Sequence, residues 1–476
     1  MSQFRENKVE KPDKISIFGL GKLGFPFAVS VASRNFRVIV FDTRQEPLRQ
    51  LAEAKAPGSE PPTEALLREA KNRISIADNG EDAVLSSDIS FVIVATPSEK
   101  DGGFSTSYVE QVMEVIGHAL RKKSEFHLVV LVSTVLPGTC DKLVKPLLER
   151  VSGKTCGVNF GLCYNPEFIA LGEVVRGLLR PDVVVIGQSD CRSGERLVRF
   201  YKKFCENDPP LERMSLSEAE LTKISLNVYV TMKIAFANIL AALCERIPGG
   251  NVDVVTHALG LDSRIGSAYL NGGLGYGGPC FPRDNRAFSH VAQELGVQNV
   301  MSTAVDKANS ENNSRVAQQI LERLKGVTNP QVSILGLTYK PNTDVVEESA
   351  AISIARFLIK QGIKVKSFDP IGMPEARKVL GDKVQYSPSI EECLVDSDLC
   401  VITTPWKVFK GLQPAIFLQK MRRPAILDCW RILSSAKFGK QSTTIYTATG
   451  VNSSSGPSRL TFLPFAKHRR IESLVT

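Results

Sequence analysis

The densest set of residues able to do chemistry lies between Asn271 and Asp284, in the run N-G-G-L-G-Y-G-G-P-C-F-P-R-D. Five glycines precede one cysteine, which has prolines on both sides and an aspartate four residues further on. Glycine accepts positive φ and lets backbone N–H groups approach a ligand, so the run suggests a loop wrapped around something bulky and polar. Cys280 stands at its edge. Arg283 and the loop dipoles are neighbours of the kind that favour a thiolate, and Asp284 is placed to orient a water or a base. The alternative is an ordinary turn with Cys280 as a small buried hydrophobe. The stretch alone does not choose between them.

A second constellation lies near the start. Lys14 to Phe18 is a short apolar strand running into Gly19-Leu20-Gly21-Lys22-Leu23-Gly24, and the helical pattern F-P-F-A-V-S-V-A-S follows. A further strand, Val38 to Phe41, ends at Asp42, 18 residues beyond Gly24. This is a dinucleotide fingerprint: glycines for the tight turn and close pyrophosphate approach, a helix N-terminus for the anion, a carboxylate for the ribose hydroxyls. Asp42 repels a 2′-phosphate, so the cofactor expected is NAD and not NADP. The apolar strands Ile89 to Ala95 and Leu128 to Val132 end in Thr96-Pro97 and Ser133-Thr134. Ligands bind at the C-terminal ends of such parallel strands, which puts these residues where a nicotinamide would lie.

Tyr164-Asn165-Pro166-Glu167-Phe168 offers Glu167 either as a general base or as an ordinary loop acid. A long helix is expected from Ser217 to Glu245, with S-E-A-E as its capping sequence. Lys223 and Asn227 on it share one face, either as a functional pair or as part of a solvated stripe. Further helices are expected over Asp253 to Leu261, Ala287 to Leu295 and Thr303 to Leu324, with Arg264-Ile265-Gly266 leading into the glycine run. From Gln331 the α/β alternation restarts: strands at Val332 to Gly336, Val365 to Phe368, Leu399 to Thr403 and Ala425 to Leu427, and a helix at Ala350 to Gln361. The expected fold is α/β, two doubly wound Rossmann-like domains joined by a long central helix. The expected boundaries are 1–210 for the NAD-binding domain, 211–325 for a central helical, dimerisation and catalytic-loop region, 326–440 for a nucleotide-sugar-binding α/β domain, and 441–476 for a disordered basic tail.

Composition bounds the reading. At 476 residues, with 43% hydrophobic and 23% charged residues, the chain has the size of about three ordinary globular units. No apolar run approaches the roughly 20 residues of a membrane span, and the first residues lack the apolar centre of a signal peptide. A cytoplasmic protein with reduced thiols is expected, because its ten cysteines are scattered singly. No metal is expected. The formal charge of +9 could indicate nucleic acid, but it is spread out and not interleaved with aromatics, and an anionic small-molecule substrate explains it equally well; no nucleic acid is expected. Part of that charge lies at Arg459, Lys467, Arg469 and Arg470.

Taken in order, G-L-G-K-L-G, S-T-V-L-P-G-T, N-P-E-F, E-L-T-K-I-S-L-N, G-Y-G-G-P-C-F-P-R-D and G-L-T-Y-K-P-N-T-D resemble the UDP-glucose/GDP-mannose dehydrogenase family over about residues 14 to 435. N-P-E-F and C-F-P-R-D lean towards its UDP-glucose branch. The resemblance implies a four-electron, NAD-dependent oxidation of a nucleotide-sugar C6 alcohol to the carboxylate, UDP-glucose to UDP-glucuronate for polysaccharide biosynthesis, in a homodimer or higher homo-oligomer. It implies Cys280 as nucleophile, forming first a thiohemiacetal and then a thioester. Lys223, Asn227 and Asp284 would hold the C6 oxygen and a water. Glu167 would be the base for hydrolysis, assisted by Thr134. Phe168, Tyr269, Lys340 and the loop Asn271, Gly272, Gly273, Leu274, Gly275, Tyr276 and Gly277 would bind the sugar nucleotide, and Arg264 would reach the neighbouring subunit's substrate. Three positions depart from the family: Leu171 replaces an acid, Glu347 replaces an arginine, and Trp430 stands where an arginine is usual, with Arg431 beside it. The alternatives are GDP-mannose or a UDP-N-acetylhexosamine as substrate, or a catalytically weakened nucleotide-sugar-binding protein.

Overall fold

The computed structural model describes residues 13–56, 60, 62–434, 437–438 and 444–452. Short apolar runs between polar turns build two sheets. The first contains β1 (Lys14–Phe18), β2 (Arg37–Phe41), β3 (Ile74–Ile76), β4 (Ile89–Val92), β5 (His127–Leu131), β6 (Phe160–Tyr164), β7 (Val184–Gln188) and β8 (Leu211–Ser215), in the order β3-β2-β1-β4-β5-β6-β7-β8. Its neighbours pair in parallel except β6 with β7. The second contains β9 (Gln331–Leu335), β10 (Lys364–Phe368), β11 (Gln385–Tyr386), β12 (Leu399–Ile402), β13 (Ala425–Asp428) and β14 (Ile445–Ala448), all parallel, in the order β11-β10-β9-β12-β13-β14. Each sheet reverses its winding beside its first strand, between β1 and β4 and between β9 and β12, and these crevices are where such sheets bind ligands.

The central strands are buried on both faces, which is why their sequences are apolar without alternation. On one face of the first sheet an aromatic cluster fills the space under the helices Gly24–Ser33 and Cys191–Phe204. Phe27 and Phe91 lie 5.0 Å apart, Phe91 and Phe200 5.0 Å, and Phe200 stacks on Phe204 at 5.3 Å.

Between the sheets runs the helix Leu216–Cys244, 29 residues long. Its cap is Ser215 with Glu218, a reciprocal capping box, two residues earlier than the expected S-E-A-E start. By length and composition it is apolar enough to cross a membrane, which scanning for an unbroken apolar run missed. The same helix carries Glu220, Thr231 and Asn238 buried within the fold, each hydrogen-bonded to another segment.

Two boundaries move. β8 pairs with β7 and carries the first sheet to Ser215, past the expected limit at 210; its L-E-R-M-S is too polar to stand out as a strand. The expected disordered tail begins instead with β14, which extends the second sheet beside β13. Its I-Y-T-A is masked by Ser/Thr-rich flanks. The four basic tail residues named above lie outside the described residues.

Truncating Phe200 to alanine empties the centre of the aromatic cluster and is expected to cost about 3–5 kcal/mol. A urea titration should show a much lower midpoint with an unchanged slope; a midpoint close to the parent's would mean the cluster does not anchor this domain.

Candidate active site

The turn after β1 shows why its glycines are needed. Gly19 has φ +94°, and a Cβ there would stand 2.3 Å from the Ile93 carbonyl oxygen. Gly21, by contrast, has no atom within 4 Å of its would-be Cβ, so open space lies over the loop, and Leu23 caps the helix that follows. That space is part of a cavity of about 350 Å³ lined by Gly21, Lys22, Arg44, Glu60, Leu171 and Asp344. Beside the turn, at the end of β2, Asp42 accepts hydrogen bonds from the Leu20 N–H at 2.7 Å and from the Arg44 N–H at 2.8 Å. Burial alone would raise the Asp42 carboxyl, but the Arg44 guanidinium and these two N–H groups outweigh it and hold the pKa below the usual carboxylate range. An open glycine turn, a helix N-terminus and an ionised carboxylate at the end of the neighbouring strand fit NAD. Ser133 Oγ bonds to the N–H and carbonyl of Val94, and Thr96 Oγ1 donates to the Thr134 carbonyl at 2.7 Å. The loops after β4 and β5, Pro97 included, are thus tied together at the crevice.

The long helix Leu216–Cys244 presents a row of buried polar groups, each gripping a different segment. The Glu220 carboxylate accepts from the N–H groups of Gly138 and Cys140, at 2.5 and 2.8 Å, and so clamps the turn just after Thr134. Lys223 donates to the Glu167 carbonyl at 2.5 Å and lies 5.2 Å from the centre of the Phe168 ring. Asn227 donates to Asp284 at 2.6 Å. Asn238 receives the Gly273 N–H at 2.7 Å and donates to the Leu274 carbonyl.

Cys280 is not in a free loop. It caps the helix Phe281–Glu294, which starts six residues before the expected Ala287. Proline belongs naturally in a first helical turn, so Pro282 opens this helix where the sequence reading took it for loop. Asp284 then falls in the first turn, fully buried, 3.2 Å from the Arg283 guanidinium. The Cys280 thiol opens to solvent at the cleft but is crowded by protein. That crowding, helped by Asp284, raises its pKa, against the pull of Lys223 and Arg283. A helix N-terminus adds a positive dipole end at the sulfur. Glu167 is half-buried, and the loss of water around it pushes its carboxyl up to about 7, with Lys223 and a hydrogen bond from Tyr201 working against the rise. Burial lowers Lys340, whose ammonium feels the Cys280 sulfur.

The glycine run is held by side chains that the sequence reading passed over. Asn313 receives the Gly275 N–H at 2.9 Å, Asn309 the Tyr276 N–H at 2.8 Å, and Asn312 donates to the Gly273 carbonyl at 3.0 Å. All three come from the helix Met301–Arg323, where N-S-E-N-N places them at i, i+3 and i+4 on one face; that spacing was the available signal. At Gly277 a Cβ would stand 2.2 Å from the Glu348 carbonyl oxygen, so only glycine lets the run meet the segment after β9.

Glu167, Phe168, Lys223, Asn227, Cys280, Asp284 and Lys340 are thus linked to one another by hydrogen bonds, ring contact or charge, whereas Thr134 joins them only through its carbonyl, held by Thr96, whose own carbonyl receives the Arg283 guanidinium. Tyr269, at φ +65°, lies edge-on to Phe281 with ring centres 6.3 Å apart. Asn271 is exposed. Arg264 is not brought in: its side chain is 86% exposed and pairs with Asp262 at 2.7 Å. Of the three departures, Leu171 lines the cofactor cavity, and Glu347 lines an adjoining one of about 670 Å³ together with Lys22, Arg356 and Lys378. Trp430 donates from its indole to the Thr403 carbonyl at 2.8 Å, while Arg431 reaches the Gly272 carbonyl at 2.6 Å.

Three family models match in sequence along the chain: the NAD binding domain of the UDP-glucose/GDP-mannose dehydrogenase family at 13–205, its central domain at 217–311 and its UDP binding domain at 333–435. The chain is 32% identical over 424 residues to a UDP-glucose 6-dehydrogenase of Haloferax volcanii, covering 88% of this chain and 97% of the relative. It is 34% identical over 418 residues to the GDP-mannose 6-dehydrogenase of Pseudomonas aeruginosa, covering 84% and 93%. Among solved structures, a UDP-glucose dehydrogenase from Pyrobaculum islandicum superposes with a TM-score of 0.84 at 35% identity, over 92% of this chain and 98% of that one.

Replacing Glu220 with alanine strands two N–H donors, at an expected cost on the order of 1–3 kcal/mol for each. Thermal melting should fall by several degrees; an unchanged melting curve would show that the turn after Thr134 does not depend on this carboxylate.

Proposed function

This chain belongs to the UDP-glucose/GDP-mannose dehydrogenase family, a class of NAD-dependent nucleotide-sugar 6-dehydrogenases, and from that premise we propose that it converts UDP-glucose to UDP-glucuronate through a covalent adduct on Cys280. The observation that carries the reading is the meeting of Lys223, Asn227 and Asp284, drawn from two helices, beside the helix N-terminus that presents the thiol. The likeness to UDP-glucose enzymes across almost the whole chain supports the choice of sugar. GDP-mannose is the second reading, because the relative acting on it is as similar in sequence.

Bound NAD supplies the hydride acceptor for both oxidation steps. The chain's own residues manage the rest. Asp284 and Lys223 hold the water that takes the C6 hydroxyl proton. The Cys280 sulfur then bonds to the aldehyde carbon, its proton passing to that water, while Lys223 and Asn227 stabilise the new oxyanion. Capture by sulfur keeps a reactive aldehyde in the site and leaves a C–H bond on the same carbon for the second oxidation. Glu167, assisted by Thr134, draws a proton from the water that attacks the thioester carbonyl. The C–S bond breaks, the thiolate leaves, and the carboxylate product forms. At the cofactor, Asp42 would receive the ribose hydroxyls once the exposed Arg44 side chain swings aside. Tyr269, Lys340, Phe168 and the Asn271–Gly277 loop would grip the sugar nucleotide.

The exposed apolar face of the long helix, with Tyr229, Phe236 and Leu243, together with Ile247 just beyond it, suits pairing with a second copy. In that dimer Arg264 would point towards the partner's substrate. All ten cysteines are unbridged, in keeping with a cytoplasmic protein.

Purified protein with NAD and UDP-glucose should release two NADH per sugar, and Cys280→Ser should yield no acid; full acid formation by that variant would exclude the covalent route. A panel with GDP-mannose and UDP-N-acetylhexosamines separates the substrate readings, and sugar binding without turnover would favour a binding protein.

The pH profile offers a second test. Glu167 acts as base only when ionised, and its pKa of about 7 means hydrolysis should weaken as pH falls through 7 and level off above it. Glu167→Gln should remove that limb and trap a covalent sugar adduct on Cys280, visible as added mass. A parental limb in the variant would assign the titration to another group.

A further inference from the structure

A second concave site lies on the opposite edge of the first sheet from the cofactor turn. The helix Cys191–Phe204 carries Arg192, Arg196, Arg199 and Lys203, spaced at i, i+4, i+7 and i+11, so all four share one stripe. They line a pocket of about 220 Å³ whose other walls come from Asp13, Phe36 and Phe126, which precede β1, β2 and β5. These are the N-terminal ends of the strands. A five-residue strand spans roughly 16 Å, so the pocket is separated by the length of β1 from the glycine turn at its other end.

The pocket is short of negative charge. Arg196 pairs with Asp13 at 2.8 Å, and among the described residues Arg192, Arg199 and Lys203 have no carboxylate partner. Like charges three and four residues apart on a helix repel, and four cations facing one carboxylate leave that repulsion unrelieved. Two of the guanidiniums are also held in place. The Arg192 guanidinium lies over the Phe126 ring, 3.7 Å from its centre, and Arg196 donates to the Phe126 carbonyl at 3.1 Å. Lys203, in the last turn, also suits the helix dipole, which accounts for one cation but not for the stripe. Successive cations about 6 Å apart along the helix match neighbouring phosphoryl groups, and fixed guanidiniums recognise them through paired N–H donors.

We propose that this pocket binds a ligand bearing a pyrophosphate group, at a site separate from the catalytic cleft. The source of that group is either inorganic pyrophosphate, a nucleoside triphosphate, or a nucleotide sugar such as the reaction product.

The test is calorimetric titration of the full-length protein with inorganic pyrophosphate, ATP and UDP-glucuronate, comparing the parent with R199A/K203A and with R192A. These side chains touch neither cleft nor core, so NAD-dependent turnover should be unchanged and reports intact folding. At least one of the three ligands should lose tenfold or more in affinity, or one binding equivalent, in the double variant, and its parental binding should weaken as salt is added. The ligand that shows the loss identifies the source. Equal binding of all three ligands by parent and double variant, or loss accompanied by lost turnover in both variants, would overturn the proposal.

Discussion

The fold depends on one helix satisfying buried polar groups that belong to other segments. Leu216–Cys244 carries Glu220, Lys223, Asn227 and Asn238 along its length, and each takes a partner from a different piece of chain: the turn after β5, the loop after β6, the Cys280 helix and the glycine run. An unpaired polar group at any of these depths is costly, so the loops have few other places to rest. The rise of 1.5 Å per residue then spaces these side chains. Segments more than a hundred residues apart are held to the precision of one rigid rod, and a site built on such an element keeps its geometry better than one built on loops.

Electrostatics divides the cleft between the two sheets. At the glycine turn the helix N-terminus and Lys22 are positive, while Asp42 keeps its charge through hydrogen bonds despite burial. Around the thiol the balance is closer. Cys280 and Glu167 are both pushed towards their neutral forms by crowding, and Lys223 opposes both shifts. One ammonium therefore acts on the Cys280 thiol and the Glu167 carboxyl together. Glu347 adds negative charge beside the thiol; the cations that share its cavity are Lys22, itself bound to Asp344, and Arg356 and Lys378.

Much of this was readable in the residues. The glycine fingerprint, the Asp42 spacing and the strand ends at Thr96 and Thr134 follow rules about backbone and charge that act locally. Lys223 and Asn227 could be placed on one helix face from their spacing, but that this face points inward depends on what packs against it. Cys280 was recognised and its setting was not: Pro282, which suggests a loop, is equally at home in a first helical turn, and only tertiary contacts decide. The asparagines at 309, 312 and 313 were missed because a polar helix face usually meets water. β8 and β14 were missed because an edge strand needs little apolar sequence once a neighbour offers it hydrogen bonds.

The end of the long helix is fastened from two sides. The Glu245 carboxylate receives the Arg315 guanidinium and the Gly450 N–H, and the Glu245 carbonyl receives the Asn452 side-chain amide. Across the molecule, where the turn after β1 faces the segment after β9, the solvent-exposed Lys22 and Asp344 pair 2.9 Å apart. Glu245 thus ties the long helix to the helix Met301–Arg323 and to the chain just past β14, while Lys22 and Asp344 meet in water. Added salt should therefore loosen the exposed pair well before it touches the sheltered anchor.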